Sequence, residues 1–293
     1  MRPILEYRLR DWLHLRPLLH AHKTLRYRVV DRIYRRQPAK FGAVQSILSL
    51  MRRRKVLVTI AYRDPETIAW QAALVRQYVP NALYIIADNS PDDTSSQAIV
   101  RIAEHQGIPY LRLPTNAWNK GSRSHGLALN WVWYNLVRPG EPEAVGFLDH
   151  DLFPTAADDP FAPLGTQDFF GAVRTGGPRW FLWAGFCMFK FDRMRDKPLD
   201  FGQDWFNGLD TGGGNWRVLY QYVDRHQMQE LALVSIPYTR RISSTGQPMQ
   251  WCGRWLHEVG TMSEDEWQAE KRQMIADMLA PHLAAAGFTK APE

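Results

Sequence analysis

Short apolar runs alternate with longer amphipathic segments along the chain from residue 55 onward. Four runs are dominated by apolar and often β-branched residues, and they cover residues 56–61, 83–87, 110–113 and 145–148. Runs of this length are typical of strands that are buried on both faces. The segments between them predict helices, at residues 66–78, 95–105 and about 122–136. Strands separated by helices predict parallel β-α-β units with right-handed crossovers, and therefore a mostly parallel central sheet flanked by helices.

Polar residues cluster where the predicted strands end. They are Arg63 and Asp64 after the first strand, Asp88 and Asn89 after the second, Asn116 after the third, and Asp149, His150 and Asp151 after the fourth. In open α/β sheets, ligands bind at the carboxyl ends of the parallel strands. The pattern therefore predicts a binding site at this edge of the sheet.

Asp149 and Asp151 are separated by one residue and directly follow the fourth strand. In extended backbone, side chains two residues apart project to the same side, so the two carboxylates repel each other unless a cation binds between them. Hard oxygen ligands suit Mg²⁺ or Mn²⁺, which commonly bridge substrate phosphates. A solitary Asp-x-Asp pair is usually a solvated turn, but its position at a strand end favours a metal site.

Residues 1–54 differ from the rest of the chain, because apolar residues are interleaved there with Arg, Lys and His. Val29, Val30, Ile33 and Tyr34 recur at helical spacing and are expected on one face of an amphipathic helix. Residues 1–55 hold 15 Lys and Arg against 3 acids, a net charge of +12, so the remaining residues carry −6 of the total of +6. Two interpretations stay open: an arm that contacts an anionic membrane surface, near a lipid-linked acceptor, or a solvated helical appendage. Binding to nucleic acid is not expected.

The two cysteines, Cys187 and Cys252, are expected to be buried thiols of a reducing compartment. The chain has neither a secretory pattern near Met1 nor an apolar stretch of about 20 residues. We therefore expect a cytoplasmic protein that is either free or peripheral on the inner membrane face.

The order and spacing of several motifs resemble those of the family 2 glycosyltransferases, which have the GT-A fold. The resemblance rests on the acidic turn at 87–94, on Asn116 followed by the segment 119–121 and Asn130, and on residues 148–151 at the place of the family's Asp-x-Asp motif. It covers residues 55–263, most of the chain.

The resemblance implies roles on the donor side of the site. Ala61 and Arg63 would border the nucleotide base, Asp88 would contact the base, and Asp149 would lie near the ribose. Asp151 would ligate Mn²⁺ or Mg²⁺.

Further donor contacts are expected from loops. Asn116 belongs to the donor side, Lys120 and Arg123 are sited to meet phosphate, and His257 resembles a late histidine that completes the metal or diphosphate site. The loop 240–250 either folds over the donor phosphates, with Arg240 or Arg241 as clamps, or is a surface loop.

The segment 181–190 resembles the acceptor-side strand of the family, with Trp183 as a ring for stacking on a sugar. Asp210 is the expected general base of an inverting reaction, and Asp204 is the alternative. The acid that usually precedes this base is replaced by Leu209, and either aspartate could instead cap a helix near Asn215.

The predicted organisation has three parts. Residues 1–54 form the arm, 55–263 form a GT-A catalytic domain with nucleotide-binding (55–155) and acceptor (156–263) halves, and 264–293 form a C-terminal segment. In that segment, Ser263 opens a capping box and Pro281 is expected to interrupt the helix.

The predicted function is metal-dependent transfer of a hexose-type sugar from a nucleoside diphosphate to a hydroxyl acceptor, either a glycan or a lipid-linked glycan. One alternative is a GT-A-like module that binds nucleotide or glycan without catalysis, which the replacement at Leu209 keeps open. Another is a metal phosphohydrolase, which ranks last because the sequence lacks the His-rich metal clusters of such enzymes.

Overall fold

The computed structural model describes residues 4–116, 118, 121–238, 247–260 and 268–288. The strands are β1 (Lys55–Ala61), β2 (Leu83–Asp88), β3 (Tyr110–Arg112), β4 (Ala144–Asp149), β5 (Leu152–Pro154), β6 (Phe169–Gly176), β7 (Arg179–Lys190), β8 (Leu233–Ser235), β9 (Met249–Cys252) and β10 (Trp255–Glu258). The helices are α1 (Leu9–Leu13), α2 (Arg16–Arg35), α3 (Val44–Met51), α4 (Pro65–Tyr78), α5 (Asp93–Gln106), α6 (Gly121–Val132), α7 (Arg138–Gly140), α8 (Phe191–Met194) and α9 (Gln268–Ala285).

The central sheet has six strands in the order β3-β2-β1-β4-β7-β6. Strands β1 to β4 pair in parallel, whereas β7 runs antiparallel to β4 and β6 antiparallel to β7. All four strands predicted from the apolar runs are present, and the α/β fold class with a mostly parallel sheet flanked by helices is confirmed.

A second sheet of four short strands, in the order β5-β10-β9-β8, lies beside the end of β4. The chain leaves β4 at Asp149 and enters β5 at Leu152, and Leu152 pairs with His257 of β10. This pairing brings a segment more than 100 residues away in sequence to the carboxyl edge of the central sheet.

The helices between the parallel strands begin and end as their sequences dictate. Asp64 caps α4, because its carboxylate accepts a hydrogen bond from the backbone N–H of Thr67, and Pro65 fills the first turn. Asp92 caps α5 in the same way, and Gly107 ends it with a positive φ of 65°. The helix α6 continues into a π-helical segment, Trp133–Val137. A helix expected near Asn215 is only a short 3₁₀ turn, Gly213–Trp216.

The N-terminal arm contains a helix, α2, as expected, but the prediction that Val29, Val30, Ile33 and Tyr34 share one face is wrong. Tyr34 is buried at 2% exposure, whereas Val29 and Ile33 are 49% and 56% exposed. The 100° step of the helix places these residues on either side of the boundary between the packed surface and solvent. Tyr34 belongs to the main hydrophobic core, together with Ile47 and Met51 of α3.

The C-terminal helix α9 passes through Pro281 without interruption, which corrects the expected break. Proline removes one backbone hydrogen bond, and burial of Ile275, Leu279 and Leu283 along one face offsets this loss. Ser263 and its capping box lie outside the described residues.

Both cysteine thiols are free and buried, as expected. Among the described residues, no helix combines the length and the apolar character that crossing a membrane requires.

Candidate functional site

A cleft of about 610 Å³ opens at the carboxyl edge of the central sheet. Its walls are formed by the ends of β1, β2 and β4, the first turn of α6, strands β6, β7 and β10, and the loop before residue 212. The lining residues used below are Tyr62, Asn89, Ser122, Ser124, His125, Asp149, His150, Asp151, Arg174, Trp183, Asp210, Thr211 and His257. The predicted position of the site at the strand ends therefore coincides with a real cleft.

Three side chains in this cleft form a cluster that could hold a metal ion. One ligand atom each from Asp149, Asp151 and His257 lie within 4.8 Å of one another. The Nε2 atom of His257 and a carboxylate oxygen of Asp151 are 3.5 Å apart, which is less than twice the bond length of about 2.1 Å that Mg²⁺ makes to oxygen. Two carboxylates and an imidazole suit Mn²⁺ as well as Mg²⁺. The three residues thus fit the divalent cation that the resemblance implies.

The turn between β4 and β5 is held by a buried glutamine of α4. The amide nitrogen of Gln71 donates to the carbonyl oxygens of Asp149 and Leu152, each at 2.7 Å, and its side-chain oxygen accepts from the Tyr84 hydroxyl at 2.6 Å. From the other side, the backbone N–H of Glu258 donates to the carbonyl of Asp151 at 3.0 Å. These bonds fix the backbone from which both carboxylates project.

His257 is buried and contacts groups on both sides of its ring. Its Nε2 lies 3.5 Å from a carboxylate oxygen of Asp151, and its Nδ1 lies 2.6 Å from the side-chain amide of Gln250. The amide atom nearest Nδ1 is the Gln250 nitrogen. For Nε2 to bind a cation, Nδ1 must carry the proton, and the Gln250 amide must then be turned over so that its oxygen accepts that proton. The ring of Trp183 packs against the imidazole at a centroid distance of 4.7 Å.

Burial and mutual repulsion dominate the electrostatics of the cluster. Burial, followed by the charge of Asp151, raises the pKa of Asp149 above its ordinary value. Burial and the neighbouring His150 lower the pKa of His125 to about 4. The Nε2 atom of His125 is 3.4 Å from a carboxylate oxygen of Asp149. A divalent cation between the carboxylates would relieve their repulsion.

A glycine in β7 allows the cluster to form. A Cβ atom on Gly185 would collide with the Oδ2 atom of Asp149 and with the ring of Trp183. Any larger residue would therefore displace the carboxylate or the indole.

The two candidate bases have different positions. Asp210 is exposed and lines the cleft, and its Oδ1 accepts hydrogen bonds from Gln203 at 2.6 Å and from Thr211 at 3.4 Å. Asp204 does not line the cleft. It precedes a 3₁₀ turn, Trp205–Asn207, and accepts from the side chain of Asn207.

The residues expected around the base do not reach the cleft directly. Ala61 is fully buried, Arg63 points to solvent beside Asp92, and Asp88 is fully buried. The carboxylate of Asp88 accepts from the backbone N–H of Ser90 and from the hydroxyl of Tyr110, both at 2.8 Å. These bonds assign Asp88 to the turn after β2, and its contact with a base stays a prediction.

Their immediate neighbours line the cleft in their place. Tyr62 follows Ala61, and Asn89 follows Asp88. The side chain of Asn89 donates to Ser124 at 2.9 Å, and Asn116 donates to the backbone carbonyl of Ser124 at 3.0 Å. Asn116 thus fixes the first turn of α6 behind the cleft.

The predicted phosphate-binding cations are only partly described. Arg123 is exposed outside the cleft, and its guanidinium lies over the rings of Trp118 and Trp205, at 5.5 and 4.8 Å from their centroids. Lys120, Arg240 and Arg241 lie outside the described residues. Arg174 of β6 does line the cleft and lies over Trp183.

Sequence reasoning missed Gln71, His125 and Arg174. No local signal marks them, because each becomes a site residue only through the packing of distant segments. Ser122 and Ser124, at the start of α6, could have been found from the sequence. Hydroxyls at the N-terminus of a helix indicate an anion-binding site.

No protein-family model matches this sequence, and no curated protein is significantly similar to it. Similar solved structures include an active-site mutant of LgtC, at 13% identity over 81% of this chain and 98% of that chain, with a TM-score of 0.46. TarS from S. aureus is 14% identical over 78% of this chain and 43% of that chain, with a TM-score of 0.41. The mannosyltransferase PcManGT from Pyrobaculum calidifontis, solved with GDP-Man and Mn²⁺, is 15% identical over 63% of this chain, with a TM-score of 0.37. This chain spans 57% of PcManGT. These TM-scores are below 0.5, so the function proposed for this chain rests on its own residues.

Proposed function

We propose that this protein is a glycosyltransferase that moves a hexose-type sugar from a nucleoside diphosphate to a hydroxyl acceptor, with inversion. The observation that supports it most directly is that one cleft contains both the Asp149, Asp151 and His257 cluster and the exposed carboxylate of Asp210. A divalent cation in that cluster would offset the charge that develops on the leaving diphosphate.

The donor is proposed to lie along the strand ends. Tyr62 offers a ring face and Asn89 an amide for the base and ribose. The first turn of α6, with Ser122 and Ser124, supplies hydroxyls and the positive end of a helix for phosphate. Arg174, whose guanidinium lies over the ring of Trp183, adds a cation to the wall of the cleft.

Asp210 is proposed as the general base that removes the proton of the acceptor hydroxyl. Its hydrogen bonds from Gln203 and Thr211 both go to Oδ1, so the other carboxylate oxygen can accept the proton. Asp204 is the weaker candidate, because it lies outside the cleft and is bonded to Asn207. A positioned base contributes roughly 10²–10⁴-fold to the rate of such a reaction.

The binding part of the proposal is tested by calorimetric titration of UDP and GDP with and without Mn²⁺. We expect binding of one nucleotide that requires Mn²⁺ and is lost in Asp151→Asn. Nucleotide binding that is unchanged in this variant would refute the metal site.

The catalytic part is tested with the pair Asp210→Asn and Asp204→Asn. We expect Asp210→Asn to lower sugar transfer by roughly 10²-fold or more while Mn²⁺-dependent nucleotide binding is kept. Asp204→Asn should retain most of the activity. Mn²⁺-dependent binding without any donor turnover in the unaltered protein would instead identify a non-catalytic binding module.

A further inference from the structure

The exposed apolar side chains of this protein are concentrated in the N-terminal arm. Of fifteen large hydrophobic side chains that are exposed in the described part of the chain, ten lie between residues 5 and 33. They are Leu5, Leu9, Trp12, Leu13, Leu15, Leu18, Leu19, Leu25, Val29 and Ile33. Such a concentration marks an interaction surface, whereas single exposed leucines do not.

Within α2, four of these residues form an outward stripe. Leu18, Leu25, Val29 and Ile33 are spaced by seven, four and four residues, which places them on one side of a helix. We call these four residues the outer stripe. The opposite face of α2 is already packed, since Tyr34 lies in the core.

The packed face of α2 also has its polar contacts satisfied. Asp31 accepts a hydrogen bond from Asn130 at 2.9 Å, and Tyr27 donates to Asp200 at 3.1 Å. The outer stripe is therefore not needed to attach the helix to the protein.

The surface around the outer stripe is positively charged. Residues 4–36 contain nine Lys and Arg and only three acids. Each acid is paired with an arginine: Glu6 with Arg179, Asp11 with Arg16, and Asp31 with Arg35. The remaining cations, which include Arg26 and Arg32 beside the stripe, are exposed.

The start of the arm lies against the acceptor side of the cleft. The imidazole of His20 stacks on the ring of Phe206 at 3.7 Å, and Arg179 joins Glu6 to Asn207. Gly208 and Asp210, which belong to the same loop, 205–210, line the cleft. Trp205 of the same loop is 58% exposed.

We propose that the N-terminal arm binds the surface of an anionic lipid bilayer, with the outer stripe in the headgroup and acyl boundary and the flanking cations on the lipid phosphates. Apolar side chains within a cationic surface match this partner. A second copy of the chain fits less well, because two such surfaces would bring like charges together. Nucleic acid would use the cations but would not cover the leucines.

Phe206 stacks on His20, which lies on the packed face of α2, so membrane binding would hold the loop 205–210 one helix diameter, roughly 10 Å, from the lipid surface. If the proposed transfer reaction is correct, the acceptor hydroxyl then belongs to a lipid-linked molecule. That consequence rests on the proposed function, whereas the binding itself does not.

The test is co-sedimentation of the full chain with vesicles of phosphatidylcholine alone or mixed with phosphatidylglycerol. We expect binding to the anionic vesicles that weakens as salt is raised. The outer-stripe variant, which combines Leu18→Ser, Leu25→Ser, Val29→Ser and Ile33→Ser, should have an affinity for these vesicles that is lower by roughly tenfold or more. Arg26→Glu with Arg32→Glu should lose most of the binding at low salt.

The matched control is Tyr222→Ser with Val234→Ser, which removes two exposed apolar side chains elsewhere and should bind vesicles like the unaltered protein. Equal vesicle binding by the outer-stripe variant would overturn the proposal. So would a concentration-dependent dimer that the stripe variant abolishes, measured by light scattering, in a protein that does not bind vesicles. Mn²⁺-dependent nucleotide binding, measured on the same variants, should stay unchanged and separates this proposal from the proposed function.

Discussion

At the residue scale, Gly185 shows how a missing side chain shapes the cleft. We predict that Gly185→Ala weakens Mn²⁺ binding at least tenfold, because the added methyl displaces the carboxylate of Asp149 or the ring of Trp183. The measurement is calorimetric titration of the protein with Mn²⁺. Gly165→Ala is the control, since a Cβ at Gly165 meets no atom within 4 Å. Mn²⁺ affinity that is equal in both variants would contradict the packing argument.

The two cysteines give a second prediction at this scale. Burial raises the pKa of Cys252 to about 12, and burial also raises the pKa of Cys187. Because the thiolate is the reactive form, we expect neither thiol to react with Ellman's reagent in the native protein at pH 8. Both should react after denaturation in guanidinium. Rapid reaction of one native thiol would show that its surroundings open readily.

Single residues were also where the sequence was least informative about the site. The apolar run before Asp149 correctly located a carboxylate pair at a strand end, because burial of the strand forces the next polar residues to the edge. Whether Asp88 or Asn89 faces the cleft depends on strand register and on the hydroxyl of Tyr110. That contact forms across the β2–β3 pair, and local spacing does not specify it.

At the element scale, the cluster depends on how α4 holds the turn between β4 and β5. We predict that Gln71→Leu lowers stability by about 1–3 kcal/mol, because the carbonyls of Asp149 and Leu152 lose their buried donor. Mn²⁺ affinity should fall with it. Tyr84→Phe is the control, because it removes the bond to the glutamine oxygen but leaves both bonds from the Gln71 nitrogen to the turn, and it should keep Mn²⁺ affinity. Chemical denaturation and Mn²⁺ titration check both, and an unchanged Mn²⁺ affinity in Gln71→Leu would contradict the role of this side chain.

A second contact between elements joins α9 to the start of α4. Burial alone would raise the pKa of Asp64, but hydrogen bonds and charge from Arg272, at 2.8 Å, outweigh it and lower the pKa below 3.8. A carboxylate whose pKa is lower in the folded state than in the unfolded state stabilises the protein at any pH above its unfolded pKa. This stabilisation is lost as the pH falls through the folded pKa.

We therefore predict that Asp64→Asn costs about 1–3 kcal/mol at pH 7 and progressively less below pH 4. Asp92→Asn is the control, since Asp92 caps α5 from a half-exposed position and should give a smaller loss. Urea denaturation at pH 7, 5 and 3 measures both variants. A loss in Asp64→Asn that does not vary with pH would exclude the carboxylate as its cause.

Elements with strong local patterns could be predicted, and elements made by distant pairing could not. The strands β1 to β4 and the helices between them follow from apolar runs and caps such as Asp64 with Pro65. The second sheet joins β5 to β10, and its strands are only three or four residues long. A strand this short carries too little periodicity to be distinguished from a loop by itself, and β3, which is also three residues long, was predicted from its place after a helix and Gly107. His257 lies in the cleft because β10 belongs to this sheet. The family resemblance, and not a hydrophobic pattern, indicated His257 as a site residue.

At the scale of the whole molecule, the N-terminal arm is separate from the rest of the chain by its charge but not by its packing. The charge changes sign near residue 55, which predicted a separate arm. The packing crosses this boundary, because Tyr34, Ile47 and Met51 lie in the same core as the central sheet. The arm thus presents one surface to the protein and another to solvent.

This double role gives the last prediction. Deleting residues 1–36 should lower the melting temperature strongly or prevent folding, because it removes Tyr34 from the core and exposes Asn130, which contacts Asp31 and Asp200. A chain of this size loses about 2–4 °C for each kcal/mol. The outer-stripe variant, Leu18→Ser with Leu25→Ser, Val29→Ser and Ile33→Ser, should instead lose at most about 4–8 °C, because each exposed substitution costs at most about 0.5 kcal/mol. Calorimetry on the two proteins compares the two faces directly. If the deletion also melted unchanged, the arm would be an appendage, and its contacts with α6 would contribute nothing to the stability of the cleft.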